Sequence, residues 1–163
     1  MSFWKLIKGI RFKQLISLFR FSLKHPLLMF ATIKATSHTM KIVQEKFPNI
    51  HGKDNKANAF RHAFWNYLIA VKCWKSERNI TKVISWTKEI TDWHEDFSPN
   101  KPLARAMDLQ NNCIGRELFQ NHRSKTEKEV IKVLELKLID AIQVDLCKEI
   151  EKHPTNLVFI NQD

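Results

Sequence analysis

Residues 58–66 read Asn58-Ala59-Phe60-Arg61-His62-Ala63-Phe64-Trp65-Asn66. On a helix, where each residue turns by about 100°, Asn58, His62 and Asn66 fall into one stripe with Arg61 on its flank. The rest of the circumference, continued through Tyr67, Leu68, Ala70 and Val71, is apolar. A helix apolar nearly all round is a buried one. Its polar stripe therefore faces the interior, where an unpaired polar group costs roughly 1–3 kcal/mol, so partners are required.

Two other segments supply candidates. Met107-Asp108-Leu109-Gln110-Asn111-Asn112-Cys113-Ile114-Gly115-Arg116 places Asp108, Asn111, Asn112 and Gly115 on one helical face and Met107, Ile114 and Leu118 on another. Gly115 would let a neighbouring helix come close. His94-Glu95 lies in a segment whose apolar stripe is Val83, Trp86, Ile90, Trp93 and Phe97. On ideal geometry His94 borders that stripe and Glu95 lies across from it. Either His94 alone faces the other two helices, or Glu95 serves a second layer, or the helix is ending ahead of Ser98-Pro99.

Around this centre the composition is that of one globular domain: 163 residues, 44% hydrophobic and 27% charged. Only 3 glycines and 5 prolines occur, and no alternating strand pattern separates the long periodic segments. The expected fold is an all-α bundle of about six helices. The boundary reading is 1–50 for basic amphipathic N-terminal helices and 51–163 for the core carrying the motifs, within one structural domain. The helices are expected at residues 3–23, 27–47, from an Asp54 or Asn55 cap to 74, from an Asn79 cap to 97, and from Pro102 onward. The sixth opens on the Ser124–Glu127 capping pattern and continues through Ile142, Leu146 and Ile150 until His153-Pro154 ends it. Leu157-Val158-Phe159-Ile160 is an apolar tail that packs back. Cys73, Cys113 and Cys147 read as small core residues in a reducing compartment, not as a disulfide framework.

The formal net charge is +10. Residues 1–24 carry Lys5, Lys8, Arg11, Lys13, Arg20 and Lys24 and no acid, interleaved with Phe3, Trp4, Leu6, Ile7, Phe12, Phe19 and Phe21. That interleaving suits an interfacial helix on an anionic membrane, beside the plainer reading of a packing helix with a solvated basic face. No nucleic-acid motif accompanies the charge. No apolar run reaches the roughly 18 residues of a spanning helix, and none leads into a signal cleavage site. The expected location is cytoplasmic, peripheral at the inner membrane.

Three chemistries remain open at the centre. His62, His94, Glu95 and Asp108 are the ligand types for a divalent metal in a bundle core. Alternatively, His62 and Asp108 form an acid–base dyad, with Arg61 or Arg116 holding an anionic group and Asn66, Asn111 and Asn112 contacting substrate. Or the whole set is a self-satisfied buried network that fixes helix register.

Together the three motifs resemble an uncharacterised bacterial domain family with the pattern RHAxWN, HE, MDLxNNxxGR, found in standalone and in wall-associated or toxin-like secreted proteins. The resemblance covers about residues 55–120. It carries His62, Trp65, Asn66, His94, Glu95, Asp108, Asn111, Asn112, Gly115 and Arg116 as signature positions without roles. At one remove, Arg61-His62 is similar to the catalytic helix of small bacterial phospholipases A2, departing from it at Ala63 where that motif has Asp. The functional expectation is a membrane-associated hydrolase of a phosphate- or ester-containing substrate such as a lipid; the alternative is a non-catalytic helical module that binds a membrane or a protein partner.

Overall fold

The computed structural model describes residues 12–48, 53–97 and 100–161. Along them run α1 Phe12–Lys24, α2 Pro26–Lys46, α3 Lys56–Cys73, α4 Ile80–Phe97, α5 Pro102–His122, α6 Glu127–Ile139, β1 Ile142–Gln143, α7 Cys147–Ile150 and β2 Val158–Phe159. The fold is all-α apart from one two-residue strand pair. Residues 3–11 of the expected first helix, part of the loop at 49–52, and Ser98-Pro99 lie outside the described residues.

The helix starts follow local chemistry. Pro26 and Pro102 occupy first-turn positions, where a missing N–H is no loss. The Asn55 side chain accepts the Asn58 backbone N–H at 3.1 Å. The capping box of α6 is Thr126 with Glu129, two residues beyond the Ser124 pattern.

Helix α3 is the centre of the bundle, with Phe60, Phe64 and Leu68 buried. It packs on α2 on one side and most extensively on α5 on the other. Gly115 sets that second contact: a Cβ there would sit 2.1 Å from the Ala63 carbonyl oxygen and 2.7 Å from the Asn66 Cβ. No residue with a side chain fits without the helices separating.

The hydroxyls that weaken the middle of α2 as helix formers hold indoles in place. Trp86 Nε1 donates to Thr32 Oγ1 at 3.0 Å and Trp65 Nε1 to Thr36 Oγ1 at 2.9 Å. Trp93 Nε1 likewise donates to Ser17 Oγ of α1 at 2.7 Å. A buried indole N–H needs such a partner, so these bonds fix how α1 and α2 lie on α3 and α4.

The sixth helix is shorter than expected. It stops at Ile139, Asp140 caps it, and the chain turns to pair Ile142 with Val158 and Gln143 with Phe159 in parallel. Apolar residues at 142, 146 and 150 imitate a helical stripe, but Ile142, Val144, Ile150 and Val158 form a small second core over Met107 of α5, while Leu146 is exposed. The apolar tail does pack back, through β2. Among the cysteines, Cys73 is buried, Cys113 half-buried and Cys147 exposed, so the core reading fails for Cys147.

Candidate functional site

Three helices meet at His62. From α5, Asp108 Oδ1 lies 3.2 Å from its Nε2; from α4, Glu95 Oε1 lies 3.4 Å from its Nδ1. Asn112 Oδ1 is 3.1 Å from Nδ1, and Arg61 Nη2 is 2.9 Å from Nε2. With the proton on Nδ1, the ring donates to Asn112 and accepts from Arg61. Nε2 and Asp108 Oδ1 are then two acceptors facing the same spot. His62 is 3% exposed, Asp108 2% and Glu95 1%. Of the group, half-buried Arg61 and exposed Asn100 reach toward the surface.

Further bonds hold each carboxylate. Asn100 Nδ2 donates to Asp108 Oδ2 at 3.0 Å, Asn58 Nδ2 to Asp108 Oδ1 at 3.4 Å, and Asn112 Nδ2 to Glu95 Oε1 at 3.1 Å. Two buried oxygens, Glu95 Oε2 and Asn58 Oδ1, have no hydrogen-bond partner among the described residues. Each such gap costs about 1–3 kcal/mol.

Electrostatics separates the two acids. Burial, joined by the charges of Glu95 and Asp54, pushes Asp108 up to about 6 against the pull of His62 and Arg61. Burial pushes Glu95 upward as well, but its bond to His62, the charges of His62 and His94 and the Asn112 amide together hold it below the ordinary carboxylate range. One acid poised near neutrality beside one kept ionised is an arrangement suited to proton transfer. Burial lowers the Arg61 pKa, with Asp108, Glu95 and Asp54 opposing.

A turn along α3, Asn66 donates to Asn112 Oδ1 at 2.6 Å and accepts from Arg116 Nη1 at 3.0 Å and Thr91 Oγ1 at 3.2 Å. Arg116, expected as the anion clamp, is directed here rather than at His62. Asn111, expected near substrate, instead pairs with the backbone of Val158 at 2.9 and 3.0 Å. His94, expected as a ligand, is not in the group of His62, Glu95 and Asp108 whose ligand atoms lie within 4.8 Å of one another. Its ring packs edge-on against Trp65 at 5.2 Å, and burial lowers its pKa, with His62 and Arg61 acting the same way and Glu95 opposing.

Glu95 rather than His94 enters the site because the buried face of α4 runs through Val83, Thr87, Thr91 and Glu95, spaced by four. Counting the threonines as inward would have found it. Thr91 and Asn100 are the site contacts the sequence reading missed; Asn100 lies in a polar loop with no periodicity to mark it.

The sequence profile of a family described as "Domain of unknown function (DUF6973)" matches residues 19–142. The chain belongs to this family. The DUF6973 match reaches beyond the motif region of about 55–120, taking in part of α1, all of α2 and α6, so the family unit includes helices that hold the site from outside. Comparison with curated proteins and with solved structures gives no match.

Proposed function

We propose that the protein is a membrane-associated hydrolase acting on a phosphate- or ester-containing substrate such as a lipid. The observation that carries this reading is one buried imidazole flanked by two carboxylates from separate helices, 3.2 and 3.4 Å from its two nitrogens. In this reading His62 is the general base, and Asn112 and Glu95 orient the ring through Nδ1. Asp108 can exchange a proton near neutral pH, and Arg61 binds the anionic group at the surface side of the cluster.

Support for the membrane half comes from α1 and α2. Phe19 is 63% exposed, Leu23 and Leu27 67%, and Phe30 57%. Exposed Arg20, Lys24 and Lys34 lie among them. Apolar residues at helical spacing among cations suit an anionic inner-membrane surface. No helix among the described residues is long and apolar enough to cross a membrane.

A second reading, a non-catalytic module with a structural polar cluster, is favoured by how little of His62, Glu95 and Asp108 meets solvent. The deciding assay incubates the protein with a nitrophenyl phosphodiester, a nitrophenyl ester and fluorogenic phospholipids in neutral or anionic vesicles. Turnover should be higher on anionic vesicles, fall with salt, and drop at least roughly 100-fold in His62→Gln. Turnover of none of the probes, or an active His62→Gln, returns the cluster to the structural reading.

A further inference from the structure

We infer that His62, Glu95 and Asp108 bind one divalent transition-metal ion. This uses the same cluster as the hydrolase reading but not its reaction: His62 acts as a base only in the ion-free protein, because a nitrogen lone pair given to the ion takes no proton. Each of the three residues offers one ligand atom, and these atoms lie within 4.8 Å of one another, about twice a metal–oxygen bond. Nε2 of His62 and Oδ1 of Asp108 are 3.2 Å apart, close to the roughly 3 Å that separates neighbouring ligands at 2.1 Å from one ion.

The independent observation is the surplus of acceptors. Glu95 Oε2 and Asn58 Oδ1 are buried with no hydrogen-bond partner among the described residues, so the core holds oxygen lone pairs that no described donor meets. A cation uses such lone pairs. Arg61 Nη2 holds the Nε2 lone pair at 2.9 Å, so the guanidinium must swing aside when an ion takes that nitrogen.

The surroundings also fit. A ligating histidine donates its other N–H to an oxygen that fixes the ring, and Nδ1 faces Asn112 Oδ1 at 3.1 Å and Glu95 Oε1 at 3.4 Å. Asn100 and Asn112 in turn hold the two carboxylates, at 3.0 and 3.1 Å. The imidazole in the set favours Zn2+ over Mg2+ and Ca2+, which prefer oxygen alone, and the two carboxylates also suit Mn2+.

The test uses the full, tag-free chain after EDTA treatment and dialysis, titrated calorimetrically with Mn2+, Zn2+, Mg2+ and Ca2+ and melted with and without each. One Mn2+ or Zn2+ per chain should bind, raising Tm by about 5–10 °C at saturating ion. Glu95→Gln and Asp108→Asn, which keep size and most hydrogen bonds, should weaken binding by more than roughly 100-fold, beyond the usual cost of an outer-shell change. His94→Gln should bind like the parent. No bound ion, or undiminished binding by both carboxylate variants, overturns the site. Binding without turnover of any probe leaves the ion and sinks the hydrolase, whereas EDTA-resistant turnover without binding does the reverse.

Discussion

His62 and Asn66 stand one turn apart on α3, both buried and both beside Asn112, yet they close their hydrogen bonding differently. At Asn66 every group is used. Its amide donates to Asn112 Oδ1 and to the His62 carbonyl, and its oxygen accepts from Arg116 and Thr91. Around His62 the acceptors outnumber the donors, and two oxygens, Glu95 Oε2 and Asn58 Oδ1, stay unmatched among the described residues. A saturated buried network fixes register and has no capacity left for chemistry. An unsaturated one carries a standing cost, which a site for an incoming proton, ion or substrate explains. The two halves of one polar stripe thus differ: the Asn66 half has its hydrogen bonds closed, and the His62 half keeps acceptors that no described donor meets.

The comparison breaks most severely at Gly115, beside Asn66. Gly115→Ala drives a Cβ into the Ala63 carbonyl, and separating α3 from α5 should cost about 3 kcal/mol, lowering Tm by about 10 °C. A loss below about 1 kcal/mol in denaturant titration would mean that the helix crossing is looser than described.

Next comes the contrast itself. Asn66→Ala strands Arg116 and Asn112 and should destabilise by about 2–3 kcal/mol, whereas His62→Gln should cost under about 1 kcal/mol because few partners depend on it alone. Equal losses in chemical unfolding would erase the distinction between lock and site.

An effect of comparable size and opposite sign belongs to Asp108. Its folded pKa is raised to about 6 from an ordinary 3.8, so its ionised form is disfavoured by folding, and the parent loses stability as pH rises across that interval. Asp108→Asn in EDTA-treated protein should therefore match the parent below about pH 4 and gain up to about 3 kcal/mol by pH 7. A variant less stable than the parent at pH 7 would show that the carboxylate is well accommodated when charged. Stability gained where activity is lost is the usual mark of a strained site.

Most helix starts were legible because single residues carry them: Pro26, Asn55 and Pro102 act through local sterics and one hydrogen bond. The inside-facing stripe of α3 was legible for the same reason, since the apolar remainder leaves it no other place. What escaped depends on contacts distant in sequence. Periodicity continued past Ile139, but pairing of β1 with β2 and the small core over Met107 outweighed it. Trp93 and Phe97 drew the stripe of α4 too far round because large apolar residues were counted and buried threonines were not; Thr87, Thr91 and Glu95 define the inner face. The partners of Asn111 and Arg116 could not be read from spacing, because each residue type serves a backbone or an amide as readily as a substrate.

The amide of Asn111 also bears on the order in which the molecule is completed. It holds the backbone of Val158 by both its oxygen and its nitrogen, 47 positions along the chain. Just beyond, the N–H groups of Ile160 and Asn161 close on the Asp54 carbonyl, immediately before α3. During synthesis, α3 and α5 can therefore meet through Gly115 well before the start of α3, where Asn58 and Arg61 lie, receives its last restraints. Without residues 158–161, Asn111 and Asp54 lose these partners, whereas the Gly115 contact and the hydrogen bonds of Asn66 involve only residues that come earlier in the chain.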